Sequence, residues 1–168
     1  MPVPSYYASR ECLNYYAVCG DLVKERGFAC RSILDVGSAD VPFVEWFDWI
    51  ADRVTVDQRD REGRLGSTHL QADFRSHQFN RTFDLVTCMQ VLEHLHEVEP
   101  FARKLFTLSN RFVLISVPYK WPQGRCRFHV QDPVDKESLL RWTGRTPEVE
   151  IVVNDERTER LVSWYQIN

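Results

Sequence analysis

The 168-residue chain has no apolar run near the roughly 20 residues a membrane-spanning helix needs, so membrane insertion is not expected. It has no closely spaced cysteine pair. Cys12, Cys19, Cys30, Cys88 and Cys126 are odd in number, and their spacing fits neither a zinc site nor a redox motif. They read as reduced thiols that pack as small hydrophobes. Neither sign of charge is in large excess: 21 Lys and Arg stand interspersed with 24 Asp and Glu, for a net charge of −3. That argues against a nucleic-acid partner, whose binders carry a basic patch or stripe. No internal repeat, low-complexity tract or linker interrupts the chain. Met1-Pro2-Val3-Pro4-Ser5 lacks the basic and apolar regions of a signal peptide, which leaves a cytoplasmic protein as the expectation. A GxGxxG turn is missing too, and this argues against a nicotinamide-dependent oxidoreductase. At 43% hydrophobic and 27% charged residues, the composition is that of a globular protein. The length suits one domain, residues 1–168, with a sizeable core.

Two strand-like runs that end in an acid are the strongest positive signal. Ile33-Leu34-Asp35-Val36-Gly37 is an apolar strand entering a glycine turn. Val54-Thr55-Val56-Asp57 is a second strand, and Asp57 falls about twenty residues past Gly37. Together they form the front half of a nucleotide-binding βαβ unit. Asp35 sits inside the first strand, just before the turn. A dinucleotide would place its pyrophosphate there, and a carboxylate repels it. A cationic cofactor is attracted instead. S-adenosylmethionine carries an ammonium and a sulfonium, and its ribose hydroxyls need an acceptor.

The remaining pattern alternates strands and helices. Residues 1–30 form an N-terminal helical segment, with Leu13, Tyr16, Ala17, Gly20 and Val23 at helical spacing from Tyr6 to about Arg26. Asp40 is a candidate N-cap for a helix carrying Phe43, Val44, Phe47 and Ile50, with Pro42 in its first turn. Arg59 to Arg64 is a charged loop. Strands follow at Thr68–Asp73 and Phe83–Met89, then a helix from Val98, with a turn at Ser109-Asn110-Arg111 and a strand at Phe112–Val117. Pro118 to Pro133 is irregular. Asp135 caps a short helix that Gly144 stops, and 149–153 and 161–165 form an antiparallel hairpin. Such alternation implies a parallel α/β sheet with helices on both faces, residues 31–168 forming its core.

These motifs resemble the class I S-adenosylmethionine-dependent methyltransferases over essentially the whole chain. The matching segments, in order, are Ile33–Asp40, Asp57, Ala72-Asp73-Phe74, Phe83–Val86 with Val91–Leu95, and Phe112–Tyr119. The resemblance implies a Rossmann-like seven-stranded sheet in the order 3-2-1-4-5-7-6, with strand 7 antiparallel. It implies that Asp35, Gly37 and Ser38 hold the methionine part of S-adenosylmethionine. Asp57, with Gln58 beside it, accepts from the ribose hydroxyls. Asp73 accepts from the adenine amino group with the Phe74 backbone nearby, and Met89 and Gln90 cover the cofactor. The first motif departs from the family, with Ala39 and Val41 where glycines are usual. A non-catalytic cofactor-binding module serving a partner protein is therefore the alternative to an enzyme.

His94 and His129 are the candidate general bases, because histidine titrates near neutral pH. His94 follows the fourth strand, on the side where acceptors bind in this family. His129 lies in the irregular stretch with Asp132. The spacing offers no tight carboxylate cluster for a metal, so none is expected. Lys120, Arg125 and Arg127 offer attraction to an anionic acceptor. The run Ser116–Trp121, with His129 and Asp132-Pro133 after it, is similar to small bacterial methyltransferases that modify surface glycans and sugars. The expected acceptor is a small molecule or a sugar hydroxyl.

Overall fold

The computed structural model describes residues 5–60, 66–155 and 158–167. Arg61 to Arg64 of the charged loop, and Glu156 and Arg157 of the hairpin connection, lie outside the described residues. Seven strands form one sheet: β1 (Ser32–Val36), β2 (Asp52–Asp57), β3 (Thr68–Gln71), β4 (Phe83–Met89), β5 (Ser109–Pro118), β6 (Val149–Asp155) and β7 (Thr158–Gln166). Their order is β3-β2-β1-β4-β5-β7-β6. The first five strands pair in parallel, and β7 runs antiparallel to both β5 and β6. No helix among the described residues is long and apolar enough to cross a membrane.

Successive side chains of a strand point to opposite faces, and the core divides accordingly. On β5, Leu114 packs on one face while Val113 and Ile115 pack on the other. On β7, Trp164 and Tyr165 divide in the same way. Helix α1 (Asn14–Arg26) covers the first face, and α2 (Val98–Thr107) and α3 (Lys136–Thr143) cover the second. Strands β1 and β4 are buried on both faces, which is why their sequences are mostly apolar and do not alternate. Asp135 accepts from the Ser138 backbone N–H at 2.8 Å and caps α3, and Gly144 ends that helix in the left-handed conformation at φ 66°.

Three local expectations are corrected. Between β1 and β2 the only helical turn is a short 3-10 segment, Val44–Trp46, where a longer helix was expected. Asp40 does not cap it. Its carboxylate instead accepts from the Ser5 hydroxyl and the Tyr7 backbone N–H. Valine, aspartate and the aromatics of Val44-Glu45-Trp46-Phe47-Asp48-Trp49 have weak helix propensity. An irregular path lets Phe43, Phe47 and Ile50 reach the sheet while Trp46 turns toward Tyr7 and Tyr16. Second, α1 starts at Asn14 and not near Tyr6, which leaves Tyr6 in a turn. Third, Ser109, Asn110 and Arg111 belong to β5 and do not form a turn.

All five cysteines are free thiols. Cys19, Cys30 and Cys88 are buried, and burial pushes the Cys30 thiol up to about 11.

Candidate active site

A cavity of about 380 Å³ opens beyond the carboxyl ends of β1, β2 and β4. Its size is within the usual range for small-molecule sites, about 300–1,000 Å³. Parallel α/β sheets bind ligands at this end of the strands, because loops there leave a crevice. All nine residues expected around the cofactor line this cavity, and so does His94. His129 is not in the lining, but its ring lies 4.8 Å from that of His94, centroid to centroid.

The turn after β1 shapes one wall. Asp35 is 1% exposed and accepts from the Thr87 hydroxyl of β4 at 2.6 Å. Gly37 has φ 75°, and a Cβ there would stand 2.4 Å from Val91 Cγ2. Only glycine suits that point. Ala39 also adopts a positive φ, 45°, so the turn keeps a left-handed step without the family's second glycine. Val41 is buried in the core below the turn. The Ser38 hydroxyl is buried and has no hydrogen-bond partner among the described residues. Such an orphan in a cavity wall suits a polar ligand atom.

Asp57 ends β2. One carboxylate oxygen accepts from the Ala39 N–H and the other from the Arg59 N–H, each at 2.9 Å. A carboxylate offers about four acceptor positions, so about two remain for a ligand. Asp73 is held differently. Both of its oxygens accept from the Arg75 guanidinium, which holds the carboxyl down at about 2. Phe74 is buried against Phe101 and Phe79. Lys104 of α2 pins this loop by donating to the carbonyls of Phe74 at 2.7 Å, Arg75 at 3.1 Å and His77 at 2.7 Å. Nothing in its spacing marked Lys104; only the docking of α2 reveals it.

Beyond β4, Gln90 takes φ 56°, and its amide reaches Ser116 and Arg160. The 3-10 turn Leu92–His94 follows. His94 is partly exposed, and its Nδ1 lies 3.0 Å from the Phe128 carbonyl oxygen. Burial lowers its pKa, which favours the neutral ring. His129 is covered, stacked on Trp121, with Nδ1 2.8 Å from Asp132 Oδ2. Between the two histidines lies Glu93, 1% exposed. Burial pushes its carboxyl up to about 8, with the nearby Asp132 carboxylate adding to the rise. In the sequence Glu93 stands only inside the motif Val91–Leu95. Its pairing with His94 in a turn beyond a strand was the available signal.

Other charged and histidine side chains have structural settings. Asp84 accepts from the Arg31 N–H at 2.7 Å at the foot of β4, away from the cavity. His69 lies in β3, His77 packs on Phe79, and His96 is exposed. Lys120, Arg125 and Arg127 lie over the rings of Tyr119, Trp121 and Phe128.

Comparison with known proteins agrees with this layout. A sequence search of curated proteins found no match. The N-methyltransferase NodS of Bradyrhizobium japonicum, solved with S-adenosyl-L-homocysteine, superposes with a TM-score of 0.74 at 13% identity, covering 91% of this chain and 85% of its own. The 1,6-didemethyltoxoflavin-N1-methyltransferase of Burkholderia thailandensis gives 0.73 at 15% identity, over 96% and 83%. The magnesium protoporphyrin IX methyltransferase of Synechocystis, solved with bound S-adenosylmethionine, gives 0.65 at 13%, over 100% and 86%. These similarities establish the fold. Residues 9–162 match the family described as methyltransferase domain, and the chain belongs to that family.

Proposed function

We propose that residues 1–168 act as a single methyltransferase domain that transfers a methyl group from S-adenosylmethionine to an oxygen of a small-molecule or sugar acceptor. The carrying observation is one cavity that gathers Asp35, Asp57 and Asp73 at or beyond three strand ends, with His94 in the same lining. The fit to the cofactor rests on donor chemistry. Asp35 supplies negative charge for an ammonium, and the orphaned Ser38 hydroxyl lies beside it in the wall. Asp57 keeps acceptor capacity for two ribose hydroxyls. Asp73 and the Phe74 backbone take the adenine edge, while Gln58, Met89 and Gln90 close the walls.

S-adenosylmethionine supplies a methyl group on a sulfonium that is already a good leaving group. What the chain must add is position and exclusion of water. Tyr6 and Tyr16 wall the cavity. A hydroxyl is a poor nucleophile until its proton leaves, and the His94–His129 pair beside the cavity serves that need. His94 Nδ1 is committed to the Phe128 carbonyl, so its Nε2 carries the lone pair.

Thermal-shift measurements test the cofactor. Stabilisation by S-adenosylmethionine and S-adenosylhomocysteine, with none by NAD, is expected; stabilisation by NAD alone overturns the assignment. Labelled cofactor incubated with metabolite and glycan fractions identifies the acceptor, and turnover separates an enzyme from a binding module. His94→Ala and His129→Ala should each lower turnover while calorimetry shows cofactor affinity retained. Wild-type rates in both variants refute their role.

A further inference from the structure

Three side chains from two distant parts of the chain converge beside the cavity. Glu93 and His94 come from the turn after β4, and His129 from the irregular stretch between β5 and α3. One donor atom from each lies within 4.8 Å of the others. The Nε2 atoms of His94 and His129 stand 3.8 Å and 4.0 Å from the same oxygen, Glu93 Oε1. Neither distance is a hydrogen bond. The three groups therefore surround a common point without bonding to one another.

The surroundings hold both rings in one tautomer. The Phe128 carbonyl can only accept, so His94 Nδ1 carries its hydrogen and Nε2 its lone pair. The Asp132 carboxylate imposes the same on His129. A carbonyl or carboxylate behind the imidazole is the usual outer support of a metal-binding histidine. Glu93 Oε2 is buried without a hydrogen-bond partner among the described residues. The Asp132 side chain is equally covered, at 1%. A buried polar oxygen without a partner is costly, and a cation bound at Glu93 supplies one.

We propose that Glu93, His94 and His129 bind one divalent transition-metal ion, with Asp132 orienting His129 from behind. Two imidazoles and a carboxylate suit zinc, cobalt or manganese, whereas magnesium favours oxygen ligands. Donors held about 2.0–2.2 Å from one ion stand about 3–3.5 Å apart, so modest inward shifts of the side chains close the site. Three protein ligands leave a coordination position free. His94 belongs to the cavity lining, so that position is available to an acceptor hydroxyl; with the ion bound, both Nε2 lone pairs are on the metal, and the hydroxyl's proton passes to water in place of histidine. This last consequence rests on the proposed methyl transfer; the binding site itself does not.

Chelator-treated protein titrated with Co²⁺ tests the site. The expected result is one ion per chain, with visible ligand-field absorption of a site of low coordination number. Glu93→Gln and His129→Ala should each weaken binding at least tenfold with the circular dichroism spectrum unchanged. Asp132→Asn should weaken it about 10–100-fold. Zn²⁺ should displace Co²⁺, and Mg²⁺ should not. A Cys12→Ser, Cys126→Ser variant should bind as the wild type does. Absence of binding overturns the proposal, as does binding that survives both Glu93→Gln and His129→Ala or is lost in the cysteine variant. S-adenosylhomocysteine affinity, measured on the same metal-free samples, keeps the two readings apart. Cobalt binding without cofactor binding refutes the methyl-transfer reading alone, and the reverse refutes the metal site alone.

Discussion

Replacing Asp57 with alanine removes a carboxylate that has two jobs. In the folded chain its two oxygens accept from the backbone N–H groups of Ala39 and Arg59 at 2.9 Å each, and so hold the turn after β1 against the end of β2. Its remaining acceptor positions are the ones assigned to the ribose hydroxyls. Each hydrogen bond to a charged acceptor contributes about 1.5–3 kcal/mol, so losing two costs about 3–6 kcal/mol of binding, or about 10²–10⁴ in affinity. The turn loses stability separately, by about 1–3 kcal/mol for a donor left without an acceptor. Two measurements distinguish these effects. Calorimetric titration with S-adenosylhomocysteine reads the first, and urea unfolding without ligand reads the second. Asp57→Asn sharpens the comparison, because it keeps one oxygen and places an NH₂ where the other accepted. A folded Asp57→Ala protein whose affinity stays within threefold of wild type refutes the ribose assignment, whatever happens to its stability.

Gly37→Ala should destabilise the fold by about 1–3 kcal/mol, because φ 75° is strained for a side chain and the new Cβ meets Val91. An unchanged urea midpoint would contradict the geometry of the turn. Lys104→Met should cost at least about 1.5–3 kcal/mol, the contribution of one bond to a charged group, and weaken cofactor binding, since the loop at Phe74 loses three bonds to an ammonium; equal stability and affinity would show that the loop holds itself. The Asp73 carboxyl titrates at about 2 in the folded chain against an ordinary 3.8, so its contribution is present above about 3.8 and lost as pH falls toward about 2. Stability measured across that window should fall less steeply in Asp73→Asn than in wild type, and parallel curves would refute the Arg75 pairing.

The sheet was legible because its cause is local. Strands buried on both faces are mostly apolar, and the cores of β1, β4 and β5 announce themselves that way. The residues around the cavity were legible for a related reason: ligands meet parallel sheets at the carboxyl ends of strands, so an acid placed there is already a candidate. The helix expected after β1 was misread because its apolar spacing is real, but aromatic packing and the Asp40 contacts to Ser5 and Tyr7 decide the path. The start of α1 was misread likewise; the Asn14 backbone N–H is fixed by Asp155, far along the chain.

The sequence by itself determined the succession of strands along the chain and the acids at or near their ends, because periodicity and strand termini are properties of neighbouring residues; the order in the sheet came from the resemblance. Only the tertiary structure decided that Glu93, His94, His129 and Asp132 form one cluster, and that Lys104 holds the loop at Phe74. Those groups are carried together by the pairing of β4 with β5 and the docking of α2. Such contacts close long loops, and no short-range pattern encodes them.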